Sequence, residues 1–340
     1  MSAISPERAG SARGGGVLAA SLVTLVVAIA LSISVGAGHA SLVEAIMDPS
    51  SKSADVVFHV RLPRALLAAV SGAGLSLVGV ALQALLRNPL AEPFMLGVSG
   101  GSALGATIAI IAGFNAETVL GAPVIPVAAM IGGLGATAIV HGFAANLPGS
   151  RSIGILLTGI VVNALASSLI TFLRTIVTPT KTIEVLGWLV GTIGLPSSLQ
   201  LGVLAVYVAL GGAILFVDAG RLNLLSLGDE AAEHLGVRVR VVERRVLVAS
   251  ALVVGAIVSN TGIIAFVGLI VPHGIRRVLG PDARVVMPSS IGFGGALLVL
   301  CDLASRMLFH TFGTEPPVGA ITALLGGALF LVLLRSFRPA

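Results

Sequence analysis

The feature that most constrains this chain is a series of long apolar segments separated by short polar ones. A helix crosses the hydrocarbon core of a bilayer with about 17–25 mostly apolar residues. Eight segments have this character: 17–36, 65–86, 122–145, 153–173, 200–217, 246–262, 285–309 and 318–334. Two more, 94–113 and 264–279, are shorter or interrupted, the first by glycines and the second by Pro272. The pattern predicts an all-α polytopic membrane bundle of about ten transmembrane helices.

The composition agrees with a membrane environment. Only 10% of the residues are charged, whereas soluble chains carry roughly 25%. The 43 glycines follow no Gly-X-Y period, and small residues are typical of closely packed transmembrane helices. We therefore expect a short N-terminal tail at 1–16 and one transmembrane domain at 17–336.

The first apolar segment has two interpretations. Arg8 and Arg13 precede it, and Gly38-His39-Ala40 is compatible with a signal-peptide cleavage site. The apolar core of a signal peptide has about 7–15 residues, and segment 17–36 is longer. Its length favours a retained first helix over a cleaved signal.

Basic residues predict the orientation in the membrane. Ten crossings place both termini on one side. With the N-terminus inside, the outer segments hold only a minority of the 20 Lys and Arg residues: Lys52, Arg61, Arg64, Arg174, Lys181 and Arg306. Cytoplasmic loops carry an excess of Lys and Arg, so we predict a multi-pass protein of the cell (inner) membrane with both termini cytoplasmic. This bias also accounts for the net charge of +5 without any nucleic-acid partner.

The two interrupted segments predict an internal repeat. They follow the corresponding long segments 65–86 and 246–262, and they enter the membrane from opposite faces. This arrangement is typical of inverted-topology repeats. In the first of them, Gly97, Gly101 and Gly105 recur every four residues, which favours close helix packing over a mobile sliding surface.

The segment 218–245 is the most polar part of the chain. Within it, Gly228 precedes Asp229 and Glu230, and Gly236 follows shortly after. Acidic residues in a first turn and a glycine at the end are typical of a short helix. The alternative is a solvated loop between two membrane helices. A short helix at the cytoplasmic surface would suit docking into a partner.

Residues for catalysis or metal binding do not form a recognisable set. The sequence contains no Gly-x-x-x-x-Gly-Lys-Ser/Thr loop, so we expect no ATP site in this chain. It contains no His-Glu-x-x-His motif, its six His residues are scattered, and Cys301 is the single cysteine. We therefore predict a chain that is not an enzyme and binds no metal or cofactor itself.

Three regions of the sequence resemble a known family. They are Arg61-Leu62-Pro63-Arg64 with the run from Arg87 to Gly101; Asn223 to Val237; and Gly262 to His273 with Gly280-Pro281-Asp282. Pro317-Val318-Gly319 also fits. In combination they resemble the FecCD family of permeases, the membrane subunits of importers for iron–siderophores, haem and vitamin B12.

The resemblance implies a role for three groups of residues. Outer arginines would contact acidic residues of a periplasmic or lipid-anchored binding protein: Arg61, Arg64 and Arg306. A coupling helix would seat on the ATPase: Gly228, Asp229, Glu230, Ala232, Leu235 and Gly236. Gates and pathway would involve Asn146, Ser152, Thr158, Asn163 and Ser167. For Arg61 and Arg64 the alternative is snorkelling anchors, and for Arg306 it is pairing with Asp302, four residues earlier.

The resemblance also implies the assembly. A homodimer of this chain would associate with a cytoplasmic dimer of P-loop ATPases, which bind ATP and Mg²⁺. It would import a metal chelate by alternating access. The competing interpretation is a secondary transporter driven by an ion gradient, which requires ionisable groups at membrane depth.

Overall fold

The computed structural model describes residues 6–36, 40–114, 118–119, 122–144 and 151–336. Within these ranges the chain is almost entirely helical. Its α-helices are α1 (Pro6–Ser34), α2 (Leu42–Met47), α3 (Lys52–Ala54), α4 (Leu62–Leu85), α5 (Val98–Ile111), α6 (Val124–Ala144), α7 (Arg151–Thr175), α8 (Pro179–Leu189), α9 (Ser198–Val217), α10 (Ala219–Leu225), α11 (Asp229–His234), α12 (Val239–Thr261), α13 (Val267–Leu279), α14 (Ala283–Phe312) and α15 (Val318–Ser336). A π-helical segment, Asp55–Arg61, leads into α4, and a 3₁₀ turn, Pro93–Leu96, precedes α5. Strands β1 (Thr118–Val119) and β2 (Ala122–Pro123) form an antiparallel pair.

The helices confirm the all-α prediction, and each of the ten expected segments overlaps one of them. α1 begins at Pro6, inside the tail expected at 1–16. In the described part of the chain, 6 helical stretches are long and apolar enough to cross a membrane: Gly14–Ser34, Lys52–Leu85, Val124–Ala144, Ser152–Thr175, Ser198–Val217 and Ala283–Phe312. The number of crossings and the inverted repeat remain predictions.

Helix α4 is the centre of the bundle. It is apolar on nearly all sides, which is typical of a helix buried within a bundle, and α1, α9, α12, α13 and α14 pack around it. Glycines permit the closest contacts, because a Cβ added at Gly72 would lie 2.2 Å from the Gly294 carbonyl oxygen, and one at Gly79 would lie 1.9 Å from that of Gly268. The buried core therefore depends on close contact between the backbones of neighbouring helices as well as on large apolar side chains.

The predicted glycine face of α5 packs against α6. A Cβ at Gly101 would lie 2.3 Å from the Gly132 carbonyl oxygen, and one at Gly105 would lie 2.2 Å from that of Ala128. Gly97 has a different role, since its left-handed backbone (φ 78°) joins the 3₁₀ turn to α5. The packing interpretation is confirmed for Gly101 and Gly105.

Polar contacts define the two ends of the bundle. We name the end that carries residues 218–245 the loop end and the other the opposite end. The C-terminus of α4 and the N-terminus of α14 lie at the loop end, because residues beside them bond to α11 and α10: Arg87 to Asp229 and Asp282 to Asn223. The C-termini of α1 and α14 and the N-terminus of α4 meet at the opposite end.

Candidate functional site

The loop end presents the short helix expected from the sequence. α11 follows Gly228, whose φ of 120° suits glycine, and it ends before Gly236 at φ 84°. Within α11, the side chain of Ala232 is fully buried, whereas Glu230 and the following Leu235 are exposed. The alternative of a solvated loop is therefore wrong, because the segment is helical and anchored.

Two exposed apolar side chains flank α11. Leu227 is 66% exposed and Leu235 is 58% exposed, in the most polar segment of the chain. Exposed apolar side chains that are surrounded by polar residues are typical of a protein contact site. The surface of α11 with Leu227 and Leu235, here named the α11 surface, has this character.

Buried polar contacts hold α10, and hence α11, on the bundle. The carboxylate of Asp218 is fully buried and contacts Arg221 Nη1 at 2.5 Å and Arg245 Nε at 3.4 Å. The amide of Asn223 donates to Asp282 Oδ1 (2.5 Å) and accepts from the Ala283 amide (2.8 Å). These bonds tie the segment to α9, α12 and the N-terminus of α14, so it is a fixed part of the fold.

A further ion pair links α11 to the turn after α4. Arg87 donates to the carboxylate of Asp229. The sequence predicts Arg87 only as a charge on the inner side and does not predict this contact. The sequence gives little indication of this ion pair, because Arg87 and Asp229 are far apart in sequence and either side chain could have been solvated.

At the opposite end, two of the three predicted docking arginines are buried. Arg61 and Arg306 are each only 5% exposed. Arg61 Nη1 donates to the carbonyls of Ile33 (2.9 Å) and Ser34 (3.2 Å), and Arg306 donates to the carbonyl and hydroxyl of Ser32. The last carbonyls of a helix have no intrahelical donor and attract cations. Both guanidinium groups therefore cap α1.

Arg64 belongs to the same charged cluster. Asp302 is fully buried and accepts from Arg64 Nε at 2.9 Å and Arg306 Nε at 3.1 Å. Arg64 Nη2 reaches Glu315 at 2.7 Å, and Glu315 is exposed. The predicted alternative for Arg306, pairing with Asp302, is what the structure shows. The docking role of the three arginines stays a prediction.

Among the predicted gate residues, Asn163 has a clear structural role. Its amide donates to the Phe94 carbonyl (2.8 Å) and accepts from the Gly100 amide (3.1 Å). These are backbone groups freed at the interruption before α5, and backbone groups left unpaired in a membrane cost several kcal/mol. Thr158 and Ser152 are half-buried and Ser167 is exposed on the same helix, α7. Asn146 lies outside the described residues.

Glu92 has the matching role at the second interruption. Its carboxylate accepts from the amide of Phe266, which is the N-cap of α13. Glu92 was not among the predicted site residues; the only sequence signal for this bond is that a carboxylate can satisfy the free amides at a helix N-terminus. Each interruption is thus closed by one polar side chain.

The buried carboxylates bear on the ion-gradient alternative. Among the described residues, three carboxylates are buried: Asp218, Glu243 and Asp302. Asp302 is held by two arginines, Asp218 contacts Arg221 and Arg245, and Glu243 lies 3.8 Å from His141. The half-buried Glu92 accepts from a backbone amide. Each of the four carboxylates thus has a partner within the fold. The structure gives the ion-gradient alternative no support.

In the described part of the chain, six apolar helices long enough to cross a membrane, together with interrupted helices closed by polar side chains, are typical of a multi-pass membrane protein. The chain belongs to the FecCD transport family, which matches residues 24–336. This match confirms the resemblance drawn from the sequence and identifies a FecCD-type permease.

Individual relatives cover most of the chain. It is 40% identical to the cobalamin import system permease protein BtuC of Halobacterium salinarum, over 82% of this chain and 73% of that one. It is 37% identical to the hemin transport system permease protein HmuU of Yersinia pestis, over 84% and 85%. A solved ABC transporter described as metal-chelate type, in an inward-facing conformation, matches with a TM-score of 0.85 and 33% identity, over 95% of this chain and 100% of that one.

Proposed function

We propose that this permease is the membrane-spanning subunit of an ATP-driven importer that moves a bulky metal chelate inward by alternating access. The observation that carries the proposal is the α11 surface, where Leu227 and Leu235 are exposed on a segment fixed to the bundle by Asp218 and Asn223. A rigid, partly apolar projection can transmit force to the helices behind it when a partner moves.

The energy comes from a separate polypeptide in this proposal. The sequence has no phosphate-binding loop of its own. A dimer of P-loop ATPases, which holds ATP and Mg²⁺, would seat on Gly228, Asp229, Glu230, Ala232, Leu235 and Gly236. Of these, the exposed Glu230 and Leu235 would make contact, and the buried Ala232 would anchor the helix.

The pathway would lie between two copies of this chain, along exposed faces of α7. Small and hydroxylated residues are frequent there, including Thr158 and Ser167. Two hydroxyls of this helix bond within it: Ser168 donates to the Ala164 carbonyl and Thr171 to that of Ser167, each at 2.9 Å. The helix also exposes large apolar side chains, among them Leu157, Val161 and Leu165. A mostly apolar face of this kind would offer a large ligand few hydrogen-bond donors.

At the opposite end, a substrate-binding protein would dock near the arginine cluster. Arg64 and Glu315 are the members of the cluster with side chains that solvent reaches. Complementary charges at an interface steer docking and fix its register. In this proposal Arg61 and Arg306 contribute indirectly, because they fix the end of α1 beside that surface.

The substrate class is proposed no more finely than a metal chelate. The relatives named for cobalamin and for hemin have similar identities, 40% and 37%, so similarity does not choose between them. The metal ion would travel inside its chelator, so the permease needs no ligand set for the ion.

The test is association with the cognate P-loop ATPase of the importer. Leu235→Glu places a charge in the apolar part of the α11 surface, and we expect it to abolish co-purification of the ATPase. Met47→Glu, at an 81% exposed site at the opposite end, is the matched control and should bind like the parent. Normal association of Leu235→Glu, with both variants monodisperse, would contradict the proposed coupling role.

A further inference from the structure

The turn between α4 and α5 contacts both the α11 surface and the interior of the bundle. We propose that residues 87–92, here named the strut, pass movement of α11 to the N-terminus of α13, and that Glu92 is the positioning residue at its inner end. This inference rests on the proposed function, because it assigns a route by which ATPase movement reaches an interrupted helix.

The outer end of the strut is its contact with α11. Arg87 donates to Asp229 in the first turn of that helix. Both side chains are partly exposed, 34% and 47%, so the pair is accessible to movements of a docked partner. A displacement of α11 would therefore pull first on Arg87.

The strut itself is held by short-range hydrogen bonds. The Asn88 amide donates to the Gln83 carbonyl at 3.2 Å, and the Leu90 amide donates to the side chain of Asn88 at 2.9 Å. The Ala91 amide donates to the Asn88 carbonyl at 3.0 Å. These bonds make a compact turn, which transmits displacement better than an open loop.

The inner end of the strut is the bond from the Phe266 amide to the Glu92 carboxylate. A negative charge is favourable at a helix N-terminus, where the first amides have no intrahelical acceptor. The first turn of α13 touches α4, where Gly268 contacts Gly79. Gly79 lies six residues before the end of α4 at Leu85, which is ~9 Å along the helix, so Glu92 reaches into the bundle.

Backbone strain occurs at both ends of this connection. Among the described residues, Arg87 (φ 49°) and Phe266 (φ 70°) are the non-glycine residues with left-handed backbone. Such conformations cost about 1–3 kcal/mol each, persist only where neighbours enforce them, and cluster in switch regions. Gly326 of α15 makes room for the Phe266 ring, because a Cβ there would lie 2.3 Å from Phe266 Cβ. Strained backbone at Arg87 and at Phe266 is consistent with a switch region that includes the strut and the N-terminus of α13.

The experiment separates transmission from stability. A reporter is placed on α13 by labelling Gly274→Cys, an open position, in a Cys301→Ala background that removes the single native cysteine. The complex of permease and ATPase is reconstituted in nanodiscs, and label mobility is compared without nucleotide and with ATP, Mg²⁺ and vanadate. In the parent we expect a nucleotide-dependent change in mobility.

The variants decide the proposal. Glu92→Ala should retain ATPase association and lose the nucleotide-dependent change, and Glu92→Gln should keep the change, because its amide oxygen can still accept from Phe266. Arg87→Ala should also lose the change in label mobility. The double variant Arg87→Ala with Glu92→Ala should lose no more of this change than either single variant, because the two residues act in one connection. A full response in Glu92→Ala would overturn the strut and leave the proposed function standing. Failure of the parent to bind the ATPase would overturn both.

Discussion

Asp302 is a fully buried carboxylate that joins three parts of the opposite end. It binds Arg64 from α4 and Arg306 from its own helix, and Arg306 in turn caps α1 at Ser32. Two guanidinium groups beside one carboxylate leave a positive excess, which the carbonyls at the end of α1 and the exposed Glu315 offset. The cluster is therefore one unit, in which each charge is stabilised by the others.

Removal of Asp302 should destabilise the whole permease. Asp302→Ala leaves the buried Arg306 without its carboxylate and Arg64 with Glu315 alone, and breaking a buried ion pair costs about 3–5 kcal/mol. We expect a clear drop in the thermal unfolding midpoint of the purified protein in detergent. Glu315→Gln, which removes an exposed partner of Arg64, should cost no more than about 1 kcal/mol. Equal midpoints for the two variants would contradict the cluster interpretation.

Only part of this cluster could be predicted from the sequence. The four-residue spacing of Asp302 and Arg306 on one helix predicts their pairing, and the structure has it. Arg64 is 238 positions away from Asp302, and no local pattern connects them. The burial of Arg61 and Arg306 could not be predicted, because sequence patterns do not show that the carbonyls at the end of α1 need donors.

The interruption before α5 shows how an element can be broken inside a bundle. Asn163 of α7 bonds to both sides of the break, and Gly159 lets the Met95 carbonyl approach, since a Cβ at Gly159 would lie 1.8 Å from that oxygen. The resemblance to the FecCD family placed Asn163 among the gate and pathway residues. Its partners, Phe94 and Gly100, are defined only by the packing of α7 on α5.

The contact between α5 and α6 gives a prediction at the scale of elements. Gly101→Leu places a side chain where even a Cβ would lie 2.3 Å from the Gly132 carbonyl, so the helices must separate or the fold must fail. We expect strongly reduced yield of monodisperse protein and a lower unfolding midpoint. Gly135→Leu is the matched control, because a Cβ there meets nothing within 4 Å. A tolerated Gly101→Leu would show that the contact is not essential.

The four-residue glycine spacing predicted this packing face but not its partner. Small residues at i, i+4 and i+8 always share one side of a helix, which is why Gly101 and Gly105 were interpreted correctly. Which helix lies opposite depends on the chain's path, and Gly132 and Ala128 become visible only in three dimensions. Glycine spacing therefore predicts which face of a helix packs closely, but not which helix packs against that face.

For the whole molecule, the structure groups helix ends in the way that the charge distribution requires. Arg61, Arg64 and Arg306, all assigned outside, meet at the opposite end. Arg87, Arg221 and Arg245, all assigned inside, lie at the loop end. Two independent properties, charge asymmetry and spatial grouping, thus agree on which residues share a side. Four expected segments do not qualify as spans by length and composition alone. In three of them the described helix or its apolar part is too short, namely α5, α13 and the Val318–Val332 stretch of α15, and in the fourth, α12, the first turns are charged.

The orientation itself can be measured with single cysteines in the Cys301→Ala background. Ser50→Cys and Thr180→Cys are exposed positions on the predicted outer side, and Ser226→Cys and Glu230→Cys are exposed positions at the loop end. A membrane-impermeant maleimide should label the first pair in right-side-out vesicles and the second pair only in inside-out vesicles, because the excess of Lys and Arg holds the loop end in the cytoplasm. Detergent-solubilised protein, in which all four positions should react, controls for accessibility. A reversed result would invert the importer geometry, since the α11 surface would then face away from any ATPase, and a mixed result would show that a membrane crossing was miscounted.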